Sequence, residues 1–365
     1  MRKSLTGLVA VGLAIALAAC GGQSTANDNA DSVRANEGAT IGLALPTKAQ
    51  TRWIAGGTNM VKQFTQMGYK ANLQYAGDDL KTQVAQIQTM IDQGDKLLVI
   101  GAVDGAGLTA VLANAASKNI PVIAYDRLIV DTPNVAYYAT FDNLRVGVLQ
   151  GTLLATRLGL PEAKGPFTIE LFGGAATDNN AKVFYTGAMS VLQPYIDSGQ
   201  LVVKSNQIPF AKIATLNWER KNAAKRMTLL LNKFYATGRV EAVLAPNDGL
   251  AIGIIKALTD AGYGTKSKPL PWISGQDAEL ASVKSIIAGQ QTGTVYKDTR
   301  ELAKVTVQMA NAVLTADTPR VNDTSSYDNG VKIVPTYQLP PVAIDKANYK
   351  TLLVTGGYYT AAQLG

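Results

Sequence analysis

The chain has 365 residues, a formal net charge of +7, no histidine and a single cysteine. Without histidine there are no Ser-His or Cys-His dyads, no imidazole metal ligands and none of the commonest general acid-base group, and a lone cysteine excludes an internal disulfide, leaving stability to core burial. The length exceeds what one hydrophobic core organises, so two domains are expected, and the basic residues are scattered rather than massed, which argues against nucleic acid as a partner.

At the N-terminus, Arg2 and Lys3 precede an apolar run over 8–18 that ends in Leu17-Ala18-Ala19-Cys20. This is the layout of a secretory signal, here residues 1–19, and the run is far shorter than the roughly 20 residues that span a bilayer. The Leu-Ala-Ala-Cys tetrapeptide resembles a bacterial lipobox, which implies acylation of Cys20 and attachment to a membrane surface through the acyl chains. Residues 20–38 lack apolar periodicity and have the composition of a flexible linker.

From residue 39 onward, short β-rich runs alternate with segments of helical period, the pattern of an α/β fold with parallel strands. A strand over 41–45 stops at Pro46, and a helix over 54–67 is closed by Gly68. The next helix carries Leu80, Val84, Ile87 and Ile91 on one face and ends at Gly94. Asp78 is expected to cap it. A strand over 96–100, a helix over 108–118 and a strand over 121–125 follow. The alternation resumes after Asn143 with a helix to 158, a strand over 167–172, a helix over 181–195 and a strand over 201–204. Then come a helix over 220–234, a strand over 240–244, a helix over 250–261 with Asp248 as its expected cap, and a strand over 271–274. A helix over 280–288, a strand over 292–296 and a helix over 299–314 lead to a proline-rich tail, 334–341, unsuited to a central strand. Two similar series imply two doubly wound lobes, discontinuous in sequence: 39–142 with 279–338, and 143–278 with 339–365.

In open parallel sheets, ligands bind beyond the carboxyl ends of the strands. Here those ends are polar: Arg52-Trp53 lies beyond the first strand, Asp126-Arg127 follows the strand over 121–125, and Asp178-Asn179-Asn180 follows Gly173-Gly174. Asn247-Asp248 follows Pro246, Asp277 follows Gly275-Gln276, and Lys297-Asp298 follows Tyr296. A sugar presents hydroxyls that donate and accept at once, which suits planar Asp, Asn and Arg side chains. Its apolar C–H faces suit aromatic surfaces, the expected places of Trp53 and Trp218. Each residue also has a plainer role available, as helix cap, loop ion pair or packing residue, so the case for a site rests on convergence.

These strings carry a resemblance. Pro46-Thr47-Lys48 with Arg52-Trp53, Ala124-Tyr125-Asp126-Arg127-Leu128, Tyr138 through Asn143, Glu170-Leu171-Phe172-Gly173-Gly174, Asp178-Asn179-Asn180-Ala181, Ser274-Gly275-Gln276-Asp277-Ala278 and Tyr296 through Glu301 resemble the periplasmic sugar-binding proteins of ABC transporters, the ribose/galactose/xylose type, especially its xylose-binding and multiple-sugar-binding members. The similarity runs over 41–363. It implies a type I periplasmic binding protein fold: two Rossmann-like lobes of parallel-rich sheet flanked by helices, with three interlobe crossovers, closing by a hinge on one monosaccharide such as xylose, glucose, galactose or arabinose. It further implies a monomer without cofactor or metal that presents its sugar to an ABC permease from the periplasm or the outer face of the cytoplasmic membrane. Carried over by position, it assigns hydrogen bonding to Arg52, Asp126, Arg127, Asp178, Asn180, Asn247, Asp277 and Lys297, and stacking to Trp53 and Trp218. Lys182 stands where some relatives have a ligand-binding arginine, so its role stays open.

The alternatives are a receptor feeding a chemoreceptor or sensor kinase, which every residue named would also serve, and a carbohydrate-active enzyme using Asp126 and Asp277 as acid and base. No nucleophile or metal cluster accompanies that carboxylate pair. A repressor with the same sensor fold would need an N-terminal helix-turn-helix where the signal and linker stand.

Overall fold

The computed structural model describes residues 36, 38–160 and 162–365. The signal, Cys20 and most of the expected tether lie outside the described residues. Next to the first sheet, the Asn36 side-chain amide donates to the Leu314 carbonyl at 2.7 Å, and Gly38 N–H donates to the Gly68 carbonyl.

The first sheet has six parallel strands in the order β11-β5-β4-β3-β1-β2. They are β1 (Thr40–Leu45), β2 (Lys70–Tyr75), β3 (Leu97–Ile100), β4 (Val122–Tyr125), β5 (Tyr137–Phe141) and β11 (Thr336–Leu339). The central strands are buried along their length, as helices on both faces require, and read as near-continuous apolar runs. The edge strand β2, Lys-Ala-Asn-Leu-Gln-Tyr, is polar at alternate positions and half exposed. That composition hid it from an apolar-run reading. The proline-flanked β11 lies at the opposite edge, where a strand tolerates neighbouring prolines.

Helices α1 (Thr51–Gln66), α2 (Leu80–Gln93) and α3 (Thr109–Ser117) connect these strands. Asp78, expected as the cap of α2, has a left-handed backbone (φ 61) and does not cap it. The neighbouring Asp79 does, accepting from Thr82 N–H at 2.7 Å, while Gly94 closes the helix at φ 81.

The second sheet pairs β7 (Leu201–Val202), β6 (Phe167–Leu171), β8 (Ala242–Leu244) and β9 (Trp272–Ile273) in parallel, in that order. Its helices are α4 (Asn143–Leu158), α5 (Asn179–Asp197), the one-turn α6 (Phe210–Ile213), α7 (Arg220–Phe234) and α8 (Asp248–Asp260). Asp248 is the first residue of α8 rather than its cap; Asn247 caps it, accepting from Leu250 N–H at 2.9 Å.

One boundary differs from expectation. The sequence pattern places residues 279–296 with the first lobe, but β10 (Gly293–Tyr296) pairs antiparallel with β12 (Val342–Asp345) and bonds to the β9 segment through Thr292 and Val295 N–H groups. Helix α9 (Leu280–Ile287) packs on α8. The chain leaves this lobe at Lys297-Asp298, where α10 (Thr299–Leu314) begins and buries Leu302 and Val307 in the first lobe's core. The helical period of 280–288 could not reveal this, because period reports a buried face and not which sheet covers it.

Candidate functional site

The carboxyl ends of both sheets face one small, polar-lined cavity between the lobes. The first lobe contributes Gln50 from the β1–α1 connection, Arg52 from the first turn of α1, and Asp126 and Arg127 from just after β4. The second contributes Asp178, Asn180 and Phe184 around the start of α5, Trp218 from a 3-10 turn, Asn247 after β8 and Gln276-Asp277 after β9, with Lys297 at the passage between lobes. Every expected site residue lines the cavity except Trp53. Lys182 is exposed and outside the lining.

The carboxylates and cations of the lining match one for one and are locked together. Asp126 takes both terminal nitrogens of Arg52. Arg52 Nε lies 3.4 Å from Asp277 Oδ1, which also holds Lys297 Nζ at 3.0 Å. Arg127 Nε is 3.0 Å from Asp178 Oδ2. The Arg52–Asp277 and Arg127–Asp178 pairs join one lobe to the other. Burial alone would raise the Asp126 carboxyl, but the surrounding Arg52, Lys297 and Arg127 outweigh it and hold it below the ordinary carboxylate range. Burial works against the Arg52 charge, and Asp126 with Asp277 more than restores it, so its pKa is raised.

Backbone geometry aims these groups. The Asp126 carbonyl accepts from Tyr138 OH (2.6 Å), Thr140 Oγ1 (2.9 Å) and, across the cleft, Asn180 Nδ2 (2.7 Å). Asp178 caps α5 through Asn180 N–H (3.0 Å) and also accepts the Trp218 indole N–H (3.2 Å), so capping and site duty fall on one side chain. Asp126 (φ 63), Asn217 (φ 53), Trp218 (φ 54) and Asp277 (φ 93) all sit in the left-handed region. Asp and Asn tolerate it, whereas a tryptophan there is an outlier of the kind that collects at functional sites.

The Trp218 indole forms one wall, edge-on to Phe184 with ring centroids 6.4 Å apart. It lies directly over Gly174, where an added Cβ would stand 2.1 Å from the ring. Gly174 is therefore the seat of the indole. Gly174→Ala is expected to push the ring into the cavity and weaken ligand binding about tenfold or more, with little change in far-UV circular dichroism; isothermal titration is the check, and wild-type affinity would refute the seat.

Trp53 corrects an expectation. Its side chain is fully buried in the first lobe's core, packed against Tyr125 and beneath Arg52, and it offers no face to the cavity. Sequence reading missed Gln50, Phe184 and Gln276. Gln276 flanks the flagged Asp277 and could have been found there; Gln50 precedes a helix, and Phe184 reads as an ordinary apolar position on α5. The buried Gln276 Oε1 has no hydrogen-bond partner among the described residues, which leaves it an acceptor for a ligand hydroxyl. Among those residues no group of three or more acidic, cysteine or histidine side chains could hold a metal ion.

Comparison with known proteins agrees with this architecture. Residues 41–318 match the model of the periplasmic binding protein domain. The chain belongs to this family. Periplasmic binding proteins are binding proteins rather than enzymes. The chain is 57% identical over 324 residues to the multiple sugar-binding periplasmic protein SbpA of Azospirillum brasilense, covering 89% of this chain and 90% of that one. It is 36% identical to the D-xylose-binding periplasmic protein of Escherichia coli K12, covering 89% and 92%. Among solved structures, an ABC transporter solute binding protein from Clostridium phytofermentans with bound β-D-glucose superposes with a TM-score of 0.86 at 48% identity, covering 89% of this chain and all of that one.

Proposed function

We propose that this periplasmic binding protein is the substrate-binding lipoprotein of an ABC sugar importer, tethered through acylated Cys20 and closing on one aldose between its lobes. One observation carries the reading: a small cavity built by both lobes in which carboxylates and cations balance. A net-neutral lining of paired charges and amides suits a neutral polyhydroxylated ligand, because each planar group can hold adjacent hydroxyls without leaving a buried charge uncompensated. The Trp218 wall supplies the apolar surface that a pyranose C–H face needs. The names of the sugar-binding relatives and the glucose held by the Clostridium neighbour support the ligand class.

Closure is part of the proposal. A sugar contacted by both lobes binds the closed form alone and shifts the population toward it. The test is a thermal-shift screen with D-glucose, D-galactose, D-xylose and L-arabinose. A ligand at about 100 times its Kd stabilises the folded protein by about 2.7 kcal/mol, enough to raise Tm by several degrees. Small-angle scattering should show the particle contracting with each sugar that binds. A folded protein whose melting responds to none of these aldoses would overturn the reading.

A further inference from the structure

We propose that Trp53 is a positioning residue: a buried indole platform that holds the guanidinium groups of both cleft arginines in place for their pairs across the lobes. The Arg52 guanidinium carbon lies 4.5 Å from the centre of the Trp53 ring and that of Arg127 5.2 Å from it, although the two arginines come from different elements. Each then reaches an acid of the other lobe, Arg52 to Asp277 and Arg127 to Asp178. Long arginine side chains lose much rotamer freedom when fixed, and a shared aromatic face fixes them before the lobes meet.

The choice of residue supports this role. The Trp53 indole N–H is buried and finds no acceptor among the described residues, so a phenyl ring would fill a core position without that unmet donor. What tryptophan adds is a larger and more electron-rich face, the best of the aromatic partners for a cation, and the attraction is strongest where water is excluded. The platform is itself held. The Tyr125 ring packs 6.2 Å from it, centroid to centroid, and Gly101 admits its far edge, where a Cβ would stand 2.9 Å away.

The experiment replaces Trp53 site-specifically by mono-, di- and trifluorotryptophan, which withdraw electron density from the ring while keeping its shape. D-glucose affinity is expected to fall stepwise, by about tenfold at the end of the series, with the far-UV circular dichroism of the sugar-free protein unchanged. Equal affinity across the series would overturn the proposal. The affinity readout rests on the sugar-binding function proposed above; a second readout does not. In the sugar-free protein the Nε–H resonances of Arg52 and Arg127 should be displaced by the indole ring current and return to ordinary positions in Trp53→Met. Ordinary positions in the wild type would overturn the platform, whereas failure of the wild type to bind D-glucose, with displaced resonances, would sink the functional reading and leave the platform standing.

Discussion

Asp126→Asn is expected to remove the sugar-induced rise in Tm at sugar concentrations that saturate the wild type. The substitution keeps the shape, and asparagine tolerates the left-handed backbone (φ 63) that alanine would strain. The main-chain carbonyl keeps its three donors, Tyr138, Thr140 and Asn180. What disappears is a buried charge. Arg52 loses its two-nitrogen partner and is left with Asp277, which must then serve Arg52 and Lys297 together. Arg52 then stands in the sugar site as a buried cation short of a partner, and Kd is expected to rise about a hundredfold. Calorimetric titration of the variant measures this, and an undiminished thermal shift would take Asp126 out of the site.

The same carboxyl sets a pH expectation. Its pKa in the folded protein lies below the unfolded value of about 3.9. Its contribution is therefore fully present above about pH 4 and is lost only as pH falls through the depressed folded value. Wild-type affinity should owe no decline to Asp126 between neutral and mildly acidic pH.

Gly147→Ala should produce the largest loss of stability. Helices α4 and α5 cross with their backbones in contact: a Cβ at Gly147 would stand 1.9 Å from the Phe184 carbonyl oxygen and 2.7 Å from Ala188 N, and a Cβ at Gly187 would stand 2.2 Å from the Leu144 carbonyl oxygen on the other side. The obstacles are main-chain atoms, so no rotamer change relieves them and the helices must separate. Overpacking of this kind costs about 3 kcal/mol, which lowers Tm by about 5–10 °C for a lobe of this size. Because Asn180 and Phe184 ride on α5, sugar affinity should fall as well. Calorimetric melting decides the matter, and an unchanged Tm would show that the crossing is looser than its geometry.

The polar strand ends were legible because a doubly wound sheet sends its ligand groups to one edge, and an acid next to a base after an apolar strand, as in Asp126-Arg127, has few other uses there. Asp178, Asn180, Asp277 and Lys297 were found by the same logic. Trp53 was misplaced because adjacent residues on a helix differ by about 100° in direction: Arg52 points to the cleft while Trp53 turns into the core beneath it. Phe184 was missed because α5 buries apolar side chains both in its own lobe and in the cavity, and hydropathy alone does not separate the two.

Sequence by itself determined the α/β class, the alternation of strands and helices, the polar character of the strand ends and the absence of histidine chemistry and of an internal disulfide. These follow from local period, residue chemistry and counting. Only the tertiary structure decided that β10 pairs with β12 in the second lobe, that Asn247 rather than Asp248 caps α8, that each cleft arginine reaches an acid of the other lobe, and that Trp53 lies under both. Those facts depend on contacts between residues distant in the chain, whose formation is governed by the packing of whole elements and leaves no periodic trace in any one of them.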